Sequence, residues 1–163
     1  MTAQPRWTAA GVVAAPVEQV AGLLLTVTPG RVTRENNFLI YHAYLPQWNG
    51  REVIVHGSGD RCTASVGRTE DQPGSRDDVD IEIDRAANAI QLQGHWWYRG
   101  VHSVLPHERG SLVRHEVYNI APGAGRWAIP LMQMGFGGKL RAGMGALLNA
   151  IGQRLHCSTE LSR

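Results

Sequence analysis

One stretch constrains the fold more than any other: Ile90 to Asn119, IQLQGHWWYRGVHSVLPHERGSLVRHEVYN. Two runs rich in β-branched and aromatic residues flank Pro106-His107-Glu108-Arg109-Gly110. Turn chemistry between two such runs signals a β-hairpin. Side chains alternate faces along a strand. Val113, His115, Val117 and Asn119 therefore share one face, and Leu112, Arg114, Glu116 and Tyr118 the other. Arg114 and Glu116 suit water, which turns the first set inward. A tightly closed hairpin then puts Ser103 opposite Val113, Val101 opposite His115, Arg99 opposite Val117, and Trp97 near Asn119. This inner face mixes indole, guanidinium, imidazole and valine. An unpaired charge in a closed apolar core is strongly unfavourable, whereas a cavity holding water or a ligand removes the conflict. The candidate ligand-binding residues are thus Trp97, Arg99, Val101, Val113, His115, Val117 and Asn119.

The register has a second solution. Ile90 and Leu92 read as inward residues, and they share parity with Trp96 and Tyr98 rather than with Trp97 and Arg99. A bulge or break at Gly94 reconciles the two, since glycine inside a strand often marks one. Without the bulge, Trp96, Tyr98 and His102 form the inward set. Both solutions stay open at this point.

The rest of the chain supplies partners for this hairpin. Arg6 to Ala14 reads as a strand. Ala15-Pro16 opens a helix, with Glu18 at its positive end and Val17, Val20, Ala21 and Leu24 at helical spacing. Pro29-Gly30 ends that segment. Asn36-Asn37 breaks the pattern before the apolar Phe38-Leu39-Ile40-Tyr41, and Pro46 to Gly50 reads as a loop; a short helix or irregular lid is expected over Arg31 to Gly50. A strand meander follows: Glu52 to His56, a turn at Gly57 to Asp60, Cys62 to Thr69, then a loop from Glu70 to Arg76 containing Pro73-Gly74. Asp78 to Asp84 alternates strictly, with Val79, Ile81 and Ile83 against four acidic residues, as a half-buried antiparallel strand does. Arg85 to Asn88 turns the chain into the aromatic hairpin. Leu140, Met144, Leu147, Ile151 and Leu155 then recur at three- and four-residue steps, making a closing amphipathic helix. Before it, Pro130, Gly135, Gly137 and Gly138 predict a kink.

At 163 residues, 43% of them hydrophobic and 18% charged, the chain fits a single domain spanning residues 1–163 with a substantial core. A net charge of +2 with scattered arginines gives no nucleic-acid footprint. The N-terminal residues carry no basic segment followed by an apolar run, and no apolar stretch approaches a membrane span, so neither a signal peptide nor stable membrane insertion is expected. Cys62 and Cys157 stand far apart without a partner motif, which fits free thiols in a reducing cytoplasm. The seven histidines include no pair at ligand spacing beside a cysteine or carboxylate cluster, so no metal site is expected.

The order of strand, helix, irregular segment, strand meander and long final helix resembles the START/Bet v 1-like (SRPBCC) superfamily, and within it the polyketide cyclase/dehydrase and lipid-transport group. Gly11-Val12-Val13-Ala14-Ala15-Pro16-Val17-Glu18-Gln19-Val20 is similar to the family's passage from first strand to first helix. Val104-Leu105-Pro106 through Gly110-Ser111-Leu112-Val113 is similar to its last hairpin, and Leu140 to Leu155 to its closing helix. The resemblance implies an α+β helix-grip fold, a curved antiparallel sheet around a long C-terminal helix with a ligand cavity between them. It also implies a small hydrophobic or amphipathic ligand such as a lipid or polyketide, or, as the rival reading, an aromatase/cyclase or dehydratase acting on a polyketide chain. The family has no universal catalytic motif, so no residue is assigned as catalytic and no cofactor is implied. The segment before Trp48 is short, and the Gly57 to Asp60 turn is smaller than the glycine-rich loop of plant relatives. A homodimer is compatible with the sequence.

Each candidate carries two readings. Trp96, Trp97 and Tyr98 make either a stacking wall for a flat ligand or ordinary packing. Arg99 is either an anchor for a carboxylate, phosphate or carbonyl or a solvated strand residue. His115 is either a proton shuttle or ligand donor or a satisfied core histidine.

Overall fold

The computed structural model describes residues 4–67 and 78–163. In chain order these form β1 (Trp7–Val13), α1 (Val17–Leu24), β2 (Gly30–Arg31), a helical cap over residues 38–48, β3 (Val53–His56), β4 (Arg61–Val66) and β5 (Asp78–Asp84). They continue with β6 (Ala89–Gly94), β7 (Tyr98–His107), β8 (Gly110–Asn119), α2 (Gly125–Met132), α3 (Phe136–Leu155) and β9 (Thr159–Leu161). The expected strand at Cys62 to Thr69 is β4. Thr69 and the expected loop from Glu70 to Arg76 lie outside the described residues.

The strands make one nine-stranded antiparallel sheet in the order β2-β3-β4-β5-β6-β7-β8-β1-β9. Its centre is a meander, so each strand pairs with its sequence neighbour, and β1 closes against β8. The sheet curves around α3, which is the helix-grip architecture. Strict alternation explains β5: Val79, Ile81 and Ile83 are buried while the acidic residues between them face outward. Apolar spacing likewise explains α3, whose Leu140, Met144, Leu147, Leu148 and Ile151 are buried. Burying a side chain of that size contributes roughly 1.5–3 kcal/mol as an upper estimate. The helix lies close on β1 because Gly11 has no side chain: a Cβ there would collide with Leu148 and with the carbonyl of Glu160, 2.8 Å away. The expected kink is the break between α2 and α3, where Gly135 takes φ +85°. Both cysteines are free. Among the described residues, no helix is long and apolar enough to cross a membrane.

The central hairpin differs from the first register set out above. His95, Trp96 and Trp97 do not continue a strand; they reverse the chain between β6 and β7, which pair antiparallel with Gln93 opposite Arg99 and Ile90 opposite His102. The break falls at Gly94, but it preserves parity. The second hairpin closes with His107 opposite Gly110, His102 opposite His115 and Gly100 opposite Val117. This is one residue away from the tight closure expected, and a one-residue slip moves every side chain of a strand to the other face. Tyr98, Gly100, His102 and Val104 therefore point inward.

Candidate functional site

His102 and His115 sit directly across from each other on β7 and β8. Cross-strand neighbours on one face have Cβ atoms about 5 Å apart, and here the two imidazoles stack, with centroids 3.8 Å apart and planes 22° apart. Two tyrosines complete the group. Tyr98 comes from the same strand as His102, and its hydroxyl lies 3.2 Å from His115 Nε2. Tyr44 comes from the cap, and its hydroxyl lies 3.3 Å from His102 Nδ1. The Tyr98 hydroxyl donates to the Tyr44 hydroxyl at 3.5 Å, which closes the circuit.

Local sequence explains why the four groups meet. The cap runs through one π-helical turn at Ile40–Tyr44, with Ile40 and Tyr44 fully buried, and then tightens into a 3-10 turn at Leu45–Trp48 that stops at Asn49 in the left-handed conformation, φ 55°. The Tyr98 ring folds over Gly100, two residues along the same face. A Cβ on Gly100 would collide with the Tyr98 hydroxyl and lie 2.8 Å from that of Tyr44. Glycine at this position is thus what lets both hydroxyls reach the imidazoles.

Burial sets the charge state of the circuit. It pushes His115 down to about 3. It holds His102 well below the usual histidine value, with the neighbouring His115 adding to the effect. It pushes Tyr98 up to about 12, and raises Tyr44 well above an ordinary tyrosine, with Tyr98 reinforcing the shift. Desolvation disfavours each charged form, so all four groups are neutral at pH 7.

Beside the circuit lies a cavity of about 450 Å3, bounded by His102 and His115 on the sheet, by Phe136, Leu140, Met144 and Leu147 on α3, and by Ala43, Pro46 and Gln47 on the cap. Lys139, Gly143 and Ala146 stand at its exposed rim. His42 also borders it, with its own pKa lowered by burial first and then by the charges of Arg34 and Arg154. Among the described residues, no three His, Cys, Asp or Glu side chains gather as a metal site needs.

The residues expected to bind ligand are dispersed. His115 borders the cavity. Val113 and Val117 point inward and are fully buried core residues. Arg99 and Val101 are corrected to the outer face by the register: Arg99 pairs with Tyr118 and donates to Gln93 Oε1 at 2.8 Å, and Val101 lies opposite Glu116. Trp97 is in the reversing loop, packed edge-on to Trp7, Tyr98 and Phe136. It borders a separate pocket of about 400 Å3 with Trp48, Val66, Val79 and the exposed Trp96. Asn119 ties the strand to α2, donating to the carbonyls of Gly125 and Arg126 and accepting from the Ala121 N–H at 3.0 Å. Tyr98 and His102 belong to the second inward set read from the sequence. Tyr44 was not singled out at all; the only trace of it is its place four residues after Ile40 in an apolar run.

No family model matches the chain, and no curated protein matches it. Among solved structures, norcoclaurine synthase from Thalictrum flavum is 12% identical over 91% of this chain and 87% of that one, with a TM-score of 0.47. A point mutant of the Thalictrum flavum enzyme in complex with a transition-state analogue is 16% identical over 90% and 96%, with a TM-score of 0.48. TTHA0849 from Thermus thermophilus is 17% identical over 92% and 96%, with a TM-score of 0.44. All three scores lie below 0.5, so the fold assignment stands on strand order and packing.

Proposed function

We propose that the protein binds a small apolar or amphipathic molecule in the cavity between sheet and α3, with a polar atom of the ligand hydrogen-bonded to His102 or His115. One observation carries this reading: a space of about 450 Å3 with an apolar wall on α3 and two neutral imidazoles on its sheet side. Ligand sites are typically clefts of roughly 300–1,000 Å3 with mostly apolar walls and a few convergent polar groups. Apolar burial supplies affinity and the imidazoles fix orientation. Lipids and polyketides fit this description as classes. The test is mass spectrometry of whatever is extracted from the purified protein, together with titration by the amphipathic dye 1-anilinonaphthalene-8-sulfonate. A protein that carries nothing and leaves the dye unbound refutes the reading.

The rival reading, an aromatase/cyclase or dehydratase acting on a polyketide chain, draws support from the paired imidazoles within hydrogen-bond distance of tyrosine hydroxyls. The form of it that needs Arg99 beside His115 does not stand, because those side chains lie on opposite faces of the sheet.

A further inference from the structure

Each tyrosine hydroxyl has one proton to donate, and a neutral imidazole has one donor and one acceptor nitrogen. Tyr98 Oη commits its proton to Tyr44 Oη. Tyr98 Oη then accepts from His115 Nε2–H, and Tyr44 Oη donates to His102 Nδ1. The chain reads His115 Nε2–H, Tyr98 O–H, Tyr44 O–H, His102 Nδ1. Shifting all three protons the other way gives the one alternative that keeps all three contacts. The remaining nitrogens, His115 Nδ1 and His102 Nε2, have no protein partner among the described residues, and both rings border the cavity. In the first arrangement His115 Nδ1 is an acceptor and His102 Nε2–H a donor. In the second these roles are exchanged.

We infer that the Tyr44–His102–His115–Tyr98 circuit is a proton relay that makes this wall of the cavity a bifunctional acid–base site for a tautomerisable ligand, such as an enolisable 1,3-dicarbonyl group on an apolar body. The inference rests on the cavity being the ligand site. His115 Nδ1 takes the proton from the carbon between the carbonyls as His102 Nε2–H gives its proton to a carbonyl oxygen. The C–H bond breaks, the O–H bond forms, and the electron pair of the C–H bond becomes the enol double bond. Three protons then pass along the circuit, from His115 Nε2 to Tyr98, from Tyr98 to Tyr44 and from Tyr44 to His102 Nδ1. Each imidazole ends neutral with its proton on Nδ1. One water molecule in the cavity resets the site by taking a proton from His115 Nδ1 and giving one to His102 Nε2, while the three relay protons return from His102 Nδ1 to Tyr44, from Tyr44 to Tyr98 and from Tyr98 to His115 Nε2. No net charge is left in the pocket, as its burial requires. The contacts of 3.2–3.5 Å are long for proton transfer, as catalytic hydrogen bonds often are before a ligand tightens them.

The relay makes a demand that simple packing does not: at any instant both histidines carry the proton on the same type of nitrogen, both Nε2 or both Nδ1. Nitrogen-15 NMR of the imidazole-labelled protein at pH 7 reads this directly. Equal Nε2–H fractions in His102 and His115 are expected, and in Tyr98→Phe the fraction at His102, to which the Tyr98 hydroxyl is linked only through Tyr44 and His115, should change. Unequal fractions in the unmodified protein, such as Nε2–H at His102 with Nδ1–H at His115, or a charged imidazole, overturn the relay. Its activity is read as ketonisation of the enol of benzoylacetone by ultraviolet absorbance, with binding of the same compound followed by tryptophan fluorescence. Acceleration on the order of 10²-fold is expected, lost in Tyr98→Phe and Tyr44→Phe while binding persists. Binding without acceleration overturns the activity and leaves the binding function standing. Failure to bind benzoylacetone overturns the ligand class, and the dye titration shows separately whether the cavity binds at all.

Discussion

Helix α3 contains five glycines in twenty residues, a composition that opposes helix formation. Gly143 is the informative one. It stands at the exposed rim of the cavity, and a Cβ added there meets nothing within 4 Å. Interior glycine costs a helix about 1 kcal/mol relative to alanine. Gly143→Ala should therefore stabilise the protein by about 1 kcal/mol, which raises Tm by roughly 2–4 °C in a chain of this size, and leave dye binding nearly intact. Gly143→Phe places a ring across the opening between α3 and Pro46-Gln47 of the cap. It should fold at least as stably as the unmodified protein, since phenylalanine also outranks glycine in helix propensity. Dye affinity should fall by on the order of tenfold, equivalent to about 1.4 kcal/mol. Gly138→Phe is the control, an open position in the same helix away from the cavity. Thermal melts and dye titrations of the three variants decide the matter. Unchanged affinity in Gly143→Phe, with the fold intact, refutes the idea that ligands enter here; an equal loss in Gly138→Phe shows the effect to be nonspecific.

Three further outcomes rest on the circuit and the register. His115 has a folded pKa of about 3 against 6.5 unfolded; below about pH 6.5 the unfolded chain takes up a proton the folded chain refuses, so stability falls between about pH 6.5 and 3. By about pH 4.5 that loss is about 3 kcal/mol from His115 alone, with His102 acting in the same direction; urea titrations across this range should show it, and His115→Gln should reduce the slope to the share that His102 contributes. Gly100→Ala forces a methyl against both tyrosine hydroxyls and should destabilise by roughly 1–3 kcal/mol in chemical denaturation, while disturbing the imidazole NMR signals. Arg99→Ala removes a side chain from the outer face and should change stability by less than about 0.5 kcal/mol and dye affinity not at all; a clear loss of affinity would return Arg99 to the ligand.

The legible part of this fold is the part written in periodicity. Asp78 to Asp84 and Leu140 to Ile151 show their buried faces in the sequence because alternation and helical spacing survive any tertiary context. The inward face of β8 was legible for the same reason, since Arg114 and Glu116 exclude one orientation. The register of β7 was not. His95-Trp96-Trp97 contains none of the residues that normally mark a turn, and three aromatics in a row read as strand. The reversal there is supported by tertiary packing, as Trp97 lies against Trp7 and Phe136 and its carbonyl accepts from the Ile120 N–H at 2.7 Å. Parity survives that reversal; it was the closure of the β7–β8 hairpin, with His107 rather than its neighbour opposite Gly110, that moved Arg99 and Val101 to the outer face and paired His102 with His115. Tyr44 was beyond reach for another reason: its role depends on a π-helical turn and on an empty position at Gly100, 56 residues away, and neither leaves a local pattern.

The circuit also bears on what the interior is for. Four polar side chains, Tyr44, His102 and His115 buried and Tyr98 partly so, lie beneath the apolar face of α3. An apolar replacement of similar volume would avoid their desolvation, because a neutral hydrogen bond returns only about 0.5–1.5 kcal/mol net and burying polar groups without full pairing costs more. Here the pairing is partial by construction. Each imidazole gives one nitrogen to a tyrosine and keeps the other at the cavity. Had stability alone shaped this interior, both nitrogens would be paired or both rings replaced by aliphatics. Glycine at position 100 and glycine at position 143 pull in the same direction, the first making room for the hydroxyls and the second leaving the rim open in a helix that it weakens. Stabilising substitutions should therefore be easiest to find around the cavity itself, and those that fill it should reduce what it can do. Filling the space above His102 and His115, with Leu147→Phe from the helix side, should raise the midpoint of unfolding if the cavity is a defect and nothing more. If it is a site, the gain comes with loss of the bound molecule, and the extract of the purified variant should be empty where that of the unmodified protein is not.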